Sequence, residues 1–91
     1  MPITTAQIQL NTTTAVRICG PDQQPLKVTL HNLDSGTGKM IYIGNAGVTQ
    51  TNSLEMSPQV FFQFILDPGD DLWAVANDNN AKIGVFVQRQ D

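Results

Sequence analysis

Apolar and polar positions alternate one by one along several segments of this chain, the mark of strands with one buried face. Ala6-Gln7-Ile8-Gln9-Leu10 opens the pattern and Ala15-Val16-Arg17-Ile18-Cys19 continues it. Gly20-Pro21-Asp22 stops the second run, because proline lacks a backbone donor and glycine accepts dihedrals other residues avoid. Leu26, Val28 and Leu30 then alternate with Lys27, Thr29 and His31. The turn cluster Asp34-Ser35-Gly36-Thr37-Gly38 follows, and after it Met40-Ile41-Tyr42-Ile43 and Gly44. A loop of that length predicts that these two runs pair as an antiparallel hairpin.

Residues 45–58 predict an irregular segment anchored by Val48, Leu54 and Met56. Val60, Phe62, Phe64 and Leu66 share one face of the next strand, which ends at the Asp67-Pro68-Gly69-Asp70 turn. Leu72-Trp73-Ala74-Val75-Ala76 is a further strand and Asn77-Asp78-Asn79-Asn80 a further turn, since Asx side chains bond their own backbone. Ile83, Val85 and Val87 define the last strand. No 3.6-residue apolar period occurs, so no helix is expected. About seven short strands with regular turn signals predict an all-β fold, a small antiparallel β-sandwich or jelly-roll-like barrel. Residues 1–14 read as an N-terminal arm or first strand, and residues 15–91 as the β-sandwich domain.

The length, 91 residues, fits one domain with a modest core, and chains of this size often draw stability from a staple or a partner. A single cysteine, Cys19, and a single histidine, His31, provide neither an intrachain disulfide nor a four-ligand zinc site. Net charge is −3, and the five Lys and Arg do not cluster. Nucleic-acid binding is therefore not expected. No apolar run approaches the roughly 18–20 residues of a membrane span, so no membrane partner is expected either. The first residues lack the basic and apolar regions of a secretory leader, which points to synthesis in the cytoplasm.

Candidate chemistry is sparse. Asp67, Asp70 and Asp71 surround a Pro-Gly turn, where aspartate serves as a turn former. Asn77, Asp78, Asn79 and Asn80 offer oxygen ligands but lack the spacing of a calcium loop. Gly36-Thr37-Gly38-Lys39 lacks the spacing of a phosphate-binding loop. His31 lies on the polar face of its strand, and Cys19 reads as a small buried apolar group. The expectation is a protein that is not an enzyme and holds no cofactor or metal.

One feature exceeds the needs of a single core. If Val60, Phe62, Phe64 and Leu66 face inward, Phe61 and Ile65 face out. If Ile83, Val85 and Val87 face inward, so does the reverse hold for Phe86. Trp73 and Val75 share the face opposite Leu72, Ala74 and Ala76. Loops could cover this surplus, but exposed apolar patches with aromatic anchors mark subunit contacts. Phe61, Ile65, Trp73 and Phe86 are the expected contact residues. Ile3 and Ile8 are a second set, on a segment able to add a strand to a neighbour's sheet edge or to serve as the first strand of its own sandwich.

The order Leu30-His31-Asn32, Ile41-Tyr42-Ile43-Gly44, Val48-Thr49, Leu66-Asp67-Pro68-Gly69-Asp70 and Leu72-Trp73-Ala74-Val75 resembles a small β-sandwich module of tailed-bacteriophage structural proteins. Capsid decoration, head-fibre and tail proteins carry it. The resemblance covers residues 26–88 and departs from the pattern at Thr51-Asn52-Ser53-Leu54. It implies a virion protein that docks on the major capsid protein, bridges capsomers as a cement, and assembles as a homo-oligomer, with a trimer favoured. The alternative it leaves is a fibre or tail module that binds glycan or a cell-surface partner, with Trp73 or Tyr42 stacking on sugar beside Asn77. No catalytic residue comes with the resemblance.

Overall fold

The computed structural model describes residues 3–34 and 38–90. Met1, Pro2, the Ser35-Gly36-Thr37 part of the expected turn and Asp91 lie outside the described residues. Eight strands follow in chain order: β1 (Ile3–Gln9), β2 (Val16–Cys19), β3 (Leu26–Asn32), β4 (Ile41–Gly44), β5 (Leu54–Met56), β6 (Phe61–Leu66), β7 (Leu72–Ala76) and β8 (Lys82–Arg89). They form two antiparallel four-stranded sheets, a small β-sandwich. The first sheet has the order β1-β8-β3-β6 and the second β2-β7-β4-β5.

The hairpin expected between residues 26–31 and 40–43 does not form. β3 lies in the first sheet and β4 in the second. The flanks of β3 are taken by β6, which pairs from Leu26↔Leu66 to His31↔Phe61, and by β8, which pairs from Leu26↔Arg89 to Asn32↔Ile83. Each is longer than the four residues of β4 and carries a matching apolar face. The chain after β3 crosses to the other sheet instead.

Asn32 secures that crossing. It is fully buried at the end of β3. Its Nδ2 donates to the Lys39 carbonyl at 2.9 Å and to the Met56 carbonyl of β5 at 3.1 Å, while its Oδ1 accepts from the Asp34 amide at 3.0 Å. One side chain thus ties the first sheet to the second through hydrogen bonds that a buried amide requires.

Between the sheets lie Leu10, Ile18, Leu26, Val28, Leu30, Ile41, Ile43, Met56, Leu66, Ala74, Ala76, Ala81, Ile83 and Val85. Strand alternation supplies them from the inner faces of both sheets, except Leu10 and Ala81, which flank β1 and β8. Residues 45–58 contain β5, a strand that the sequence pattern does not show. Val48 and Met56 are buried, as expected of anchors, whereas Leu54 is exposed.

Candidate interaction face

The cross-strand register of the first sheet arranges its outer face in three rows, because directly opposed residues share a face. One row is Ile3, Gln88, Lys27 and Ile65. The next is Thr5, Phe86, Thr29 and Gln63. The third is Gln7, Gly84, His31 and Phe61. Phe61 is 65% exposed, Ile65 71%, Ile3 55% and Phe86 41%. Four of the six expected contact residues therefore stand on one face, drawn from three strands.

That face has relief. The His31 imidazole stacks on the Phe61 ring with centroids 4.0 Å apart and planes inclined by 6°. Gly84 leaves a gap in the same row, and a Cβ there would meet the Leu33 side chain at 3.3 Å. Leu33 thus rests on the glycine. The resulting groove, about 430 Å³, is bordered by Thr5, Gln7, Thr29, His31, Phe61 and Phe86. Lys27 is the only charged side chain in the three rows.

The remaining two candidates lie elsewhere. Ile8 opposes the fully buried Ile83, faces inward and packs against the core. Trp73 belongs to the second sheet, opposite Arg17 and Gly44. It is half-buried, and its Nε1 is buried without a hydrogen-bond partner among the described residues. Val75, on the same face as Trp73, is buried outside the main core, as is Val48. A Cβ on Gly44 would lie 3.0 Å from Val48 Cγ2, so Val48 sits on that outer face. The Gln50 side chain donates to the Ala76 carbonyl and ties the same loop down. Among the described residues, Val48 and Gln50 thus tie the 45–53 loop against part of the second sheet's outer face, where Val75 is buried and Trp73 half-buried, whereas Ile3, Phe61, Ile65 and Phe86 stay exposed on the first. Sequence periodicity separates the two faces of the strands it detects but does not show which outer face a loop closes.

Elsewhere the chemistry is quiet. Burial pushes the Cys19 thiol up from its ordinary 9.0 to about 11; the Leu72 backbone hydrogen bond opposes this and the Asp71 charge adds to it. The Gln24 amide and the Arg89 guanidinium hold the Asp22 carboxyl below its usual range, with Arg89 at 3.0 Å. Among the described residues no three His, Cys, Asp or Glu side chains group as a metal site would require. No described helix is long and apolar enough to cross a membrane.

No protein-family model matches the chain, and no curated protein matches it in sequence. Among solved structures it is similar to a chain from Bacillus endospore appendages, described as a novel family of disulfide-linked pili. The TM-score is 0.53 at 16% identity, and the match covers 98% of this chain and 85% of that one. The likeness is one of fold.

Proposed function

We propose that this protein is a structural subunit that works in many copies on the outside of a larger particle. The observation that carries this reading is the outer face of the first sheet, where Phe61, Ile65, Phe86 and Ile3 stand exposed, while on the second sheet Trp73 and Tyr42 are half-buried and Val75 is buried. A surface of that kind marks a protein contact. In its finer form the particle is a tailed-phage shell, as the motif order of residues 26–88 suggests. The protein would then dock on the major capsid protein, group as a trimer at a symmetry axis and cement neighbouring capsomers. A ligand that binds only the assembled shell stabilises it by mass action. The fold likeness to an appendage protein favours a second setting, a fibre built of the protein's own copies. The glycan-binding alternative is the weaker one, since Trp73 and Tyr42 are both half-buried on the second sheet. Sedimentation of the purified protein, alone and with empty shells, tests the proposal. Association with shells supports the cement role, and self-assembly alone supports the fibre. A monomer that leaves every shell bare refutes both.

A further inference from the structure

The two sheets treat their edges differently. The second sheet ends in β2, four residues with Arg17 and a register shift between Arg17 and Cys19, and in β5, three residues with Glu55 at the centre. Short, charged and irregular edges resist pairing with another chain. The first sheet ends in β1, ITTAQIQ, and β6, FFQFIL. These are seven and six residues long, have no charge and no register shift, and among the described residues each is bonded on one side only. The same molecule guards one pair of edges and leaves the other open.

We infer that β1 of one copy adds to β6 of the next, so that the first sheet runs on from subunit to subunit. This rests on the multi-copy reading above and names its joint. Three features of the sheet specify it. All its neighbours are antiparallel and its strand number is four, so β1 and β6 run in opposite directions. A second copy set beside the first in the same orientation therefore continues the antiparallel alternation. Continuing the existing rows places Ile3 of the second copy opposite Ile65, Thr5 opposite Gln63 and Gln7 opposite Phe61. On the inner face the rows are Thr4, Val87, Val28, Phe64 and Ala6, Val85, Leu30, Phe62.

That inner register sets small residues against large ones. Thr4 and Ala6 face inward yet are exposed, over a cleft of about 230 Å³ that opens between the sheets toward Ile18 and Leu26. Phe62 and Phe64 form an edge-to-face pair with centroids 6.1 Å apart and are only half-buried at the opposite end of the sheet. The joint would cover both phenylalanines with the side of the sandwich that lacks bulk. It is a head-to-tail contact, with different patches on the two partners.

The test uses cysteine pairs in a Cys19→Ala background. Thr5, Gln7 and Gln63 are exposed, so substitution there spares the core. β1 and β6 are separated by β8 and β3, about 14 Å across, which is too far for a bond within one chain. Thr5→Cys with Gln63→Cys is in register, and oxidation should give a ladder of covalent oligomers on non-reducing gels. Gln7→Cys with Gln63→Cys is displaced by two residues and should stay monomeric. A dimer from Gln63→Cys alone would mean that β6 pairs with itself, and would overturn the inference. Equal ladders from both pairs would overturn the register. Oligomers in sedimentation velocity without the in-register ladder would overturn this joint and leave the multi-copy reading standing. A monomer at high concentration would overturn both.

Discussion

Replacing Asn32 with alanine should be the most costly single change among the polar residues. The side chain makes three hydrogen bonds, to Lys39, Met56 and Asp34, at 2.9–3.1 Å. At about 1 kcal/mol net each, their loss amounts to about 3 kcal/mol. The backbone bonds of residue 32, to Val60 and from Gln59, survive the substitution. A domain of this length has roughly 5–14 kcal/mol of stability in total. The Asn32→Ala protein should therefore lose roughly a fifth to three fifths of it, and melt roughly 12–24 °C lower. Urea titration followed by circular dichroism gives the number, provided the slope against urea is unchanged. Asn32→Asp sharpens the test. A carboxylate cannot donate to two carbonyls, and burial beside them raises the introduced group above its unfolded pKa of about 3.9. A raised folded pKa means that stability is retained below the unfolded value and lost as pH climbs through the folded one. The aspartate variant should thus weaken between acid and neutral pH while the alanine variant keeps a constant deficit. A loss under about 1 kcal/mol for Asn32→Ala would refute the view that this residue clasps the sheets together.

Gly20 has φ +73° and a Cβ there would strike the Asp70 carbonyl oxygen, whereas Gly69 has φ +89° and open space around it. Gly20→Ala should cost more than Gly69→Ala, with the latter near 1 kcal/mol; chemical denaturation of the two variants compares them. Cys19, with its thiol pushed up to about 11, should alkylate at pH 8 about 100-fold more slowly than a thiol of pKa 9, because the thiolate reacts. The neutral thiol is favoured in the fold, so its contribution to stability is present below pH 9 and fades toward pH 11; iodoacetamide kinetics against pH read this. Phe61→Asp should leave the melting temperature nearly intact and weaken self-association, whereas Trp73→Asp should lower the melting temperature first, because Phe61 is 65% exposed and Trp73 is half-buried with its Nε1 out of water. Light scattering beside calorimetry separates the two effects.

Alternation made much of this molecule legible from its sequence. It placed Phe61, Ile65 and Phe86 outside and Phe62, Phe64, Ile83 and Val85 inside, because side-chain direction on a strand follows from position alone. Pairing is another matter. A period of two says nothing about which strand lies alongside, so a short turn-rich loop suggested that β3 meets β4. The longer apolar faces of β6 and β8 prevail there, and a single buried asparagine redirects the chain. Strand β5 escaped notice because only Met56 of its three residues is buried. Val48 is legible as an anchor, but that it sits by Gly44 on the outer face of the second sheet, with Gln50 bonded to the Ala76 carbonyl, follows only from the fold. Ile8 is a contact candidate as part of a segment able to add a strand to a neighbour, and within the fold its side chain packs inward opposite Ile83.

The position of β8 has a temporal consequence. It lies between β1 and β3, and among the described residues β1 pairs with no other strand. The earliest of the eight strands must wait for the latest of them to be made. Contacts between such distant parts of a chain form slowly, on the millisecond-to-second scale of β-rich domains. A nascent chain cut short before Lys82 would hold β1 loose, with its uncharged edge free to meet whatever strand is near.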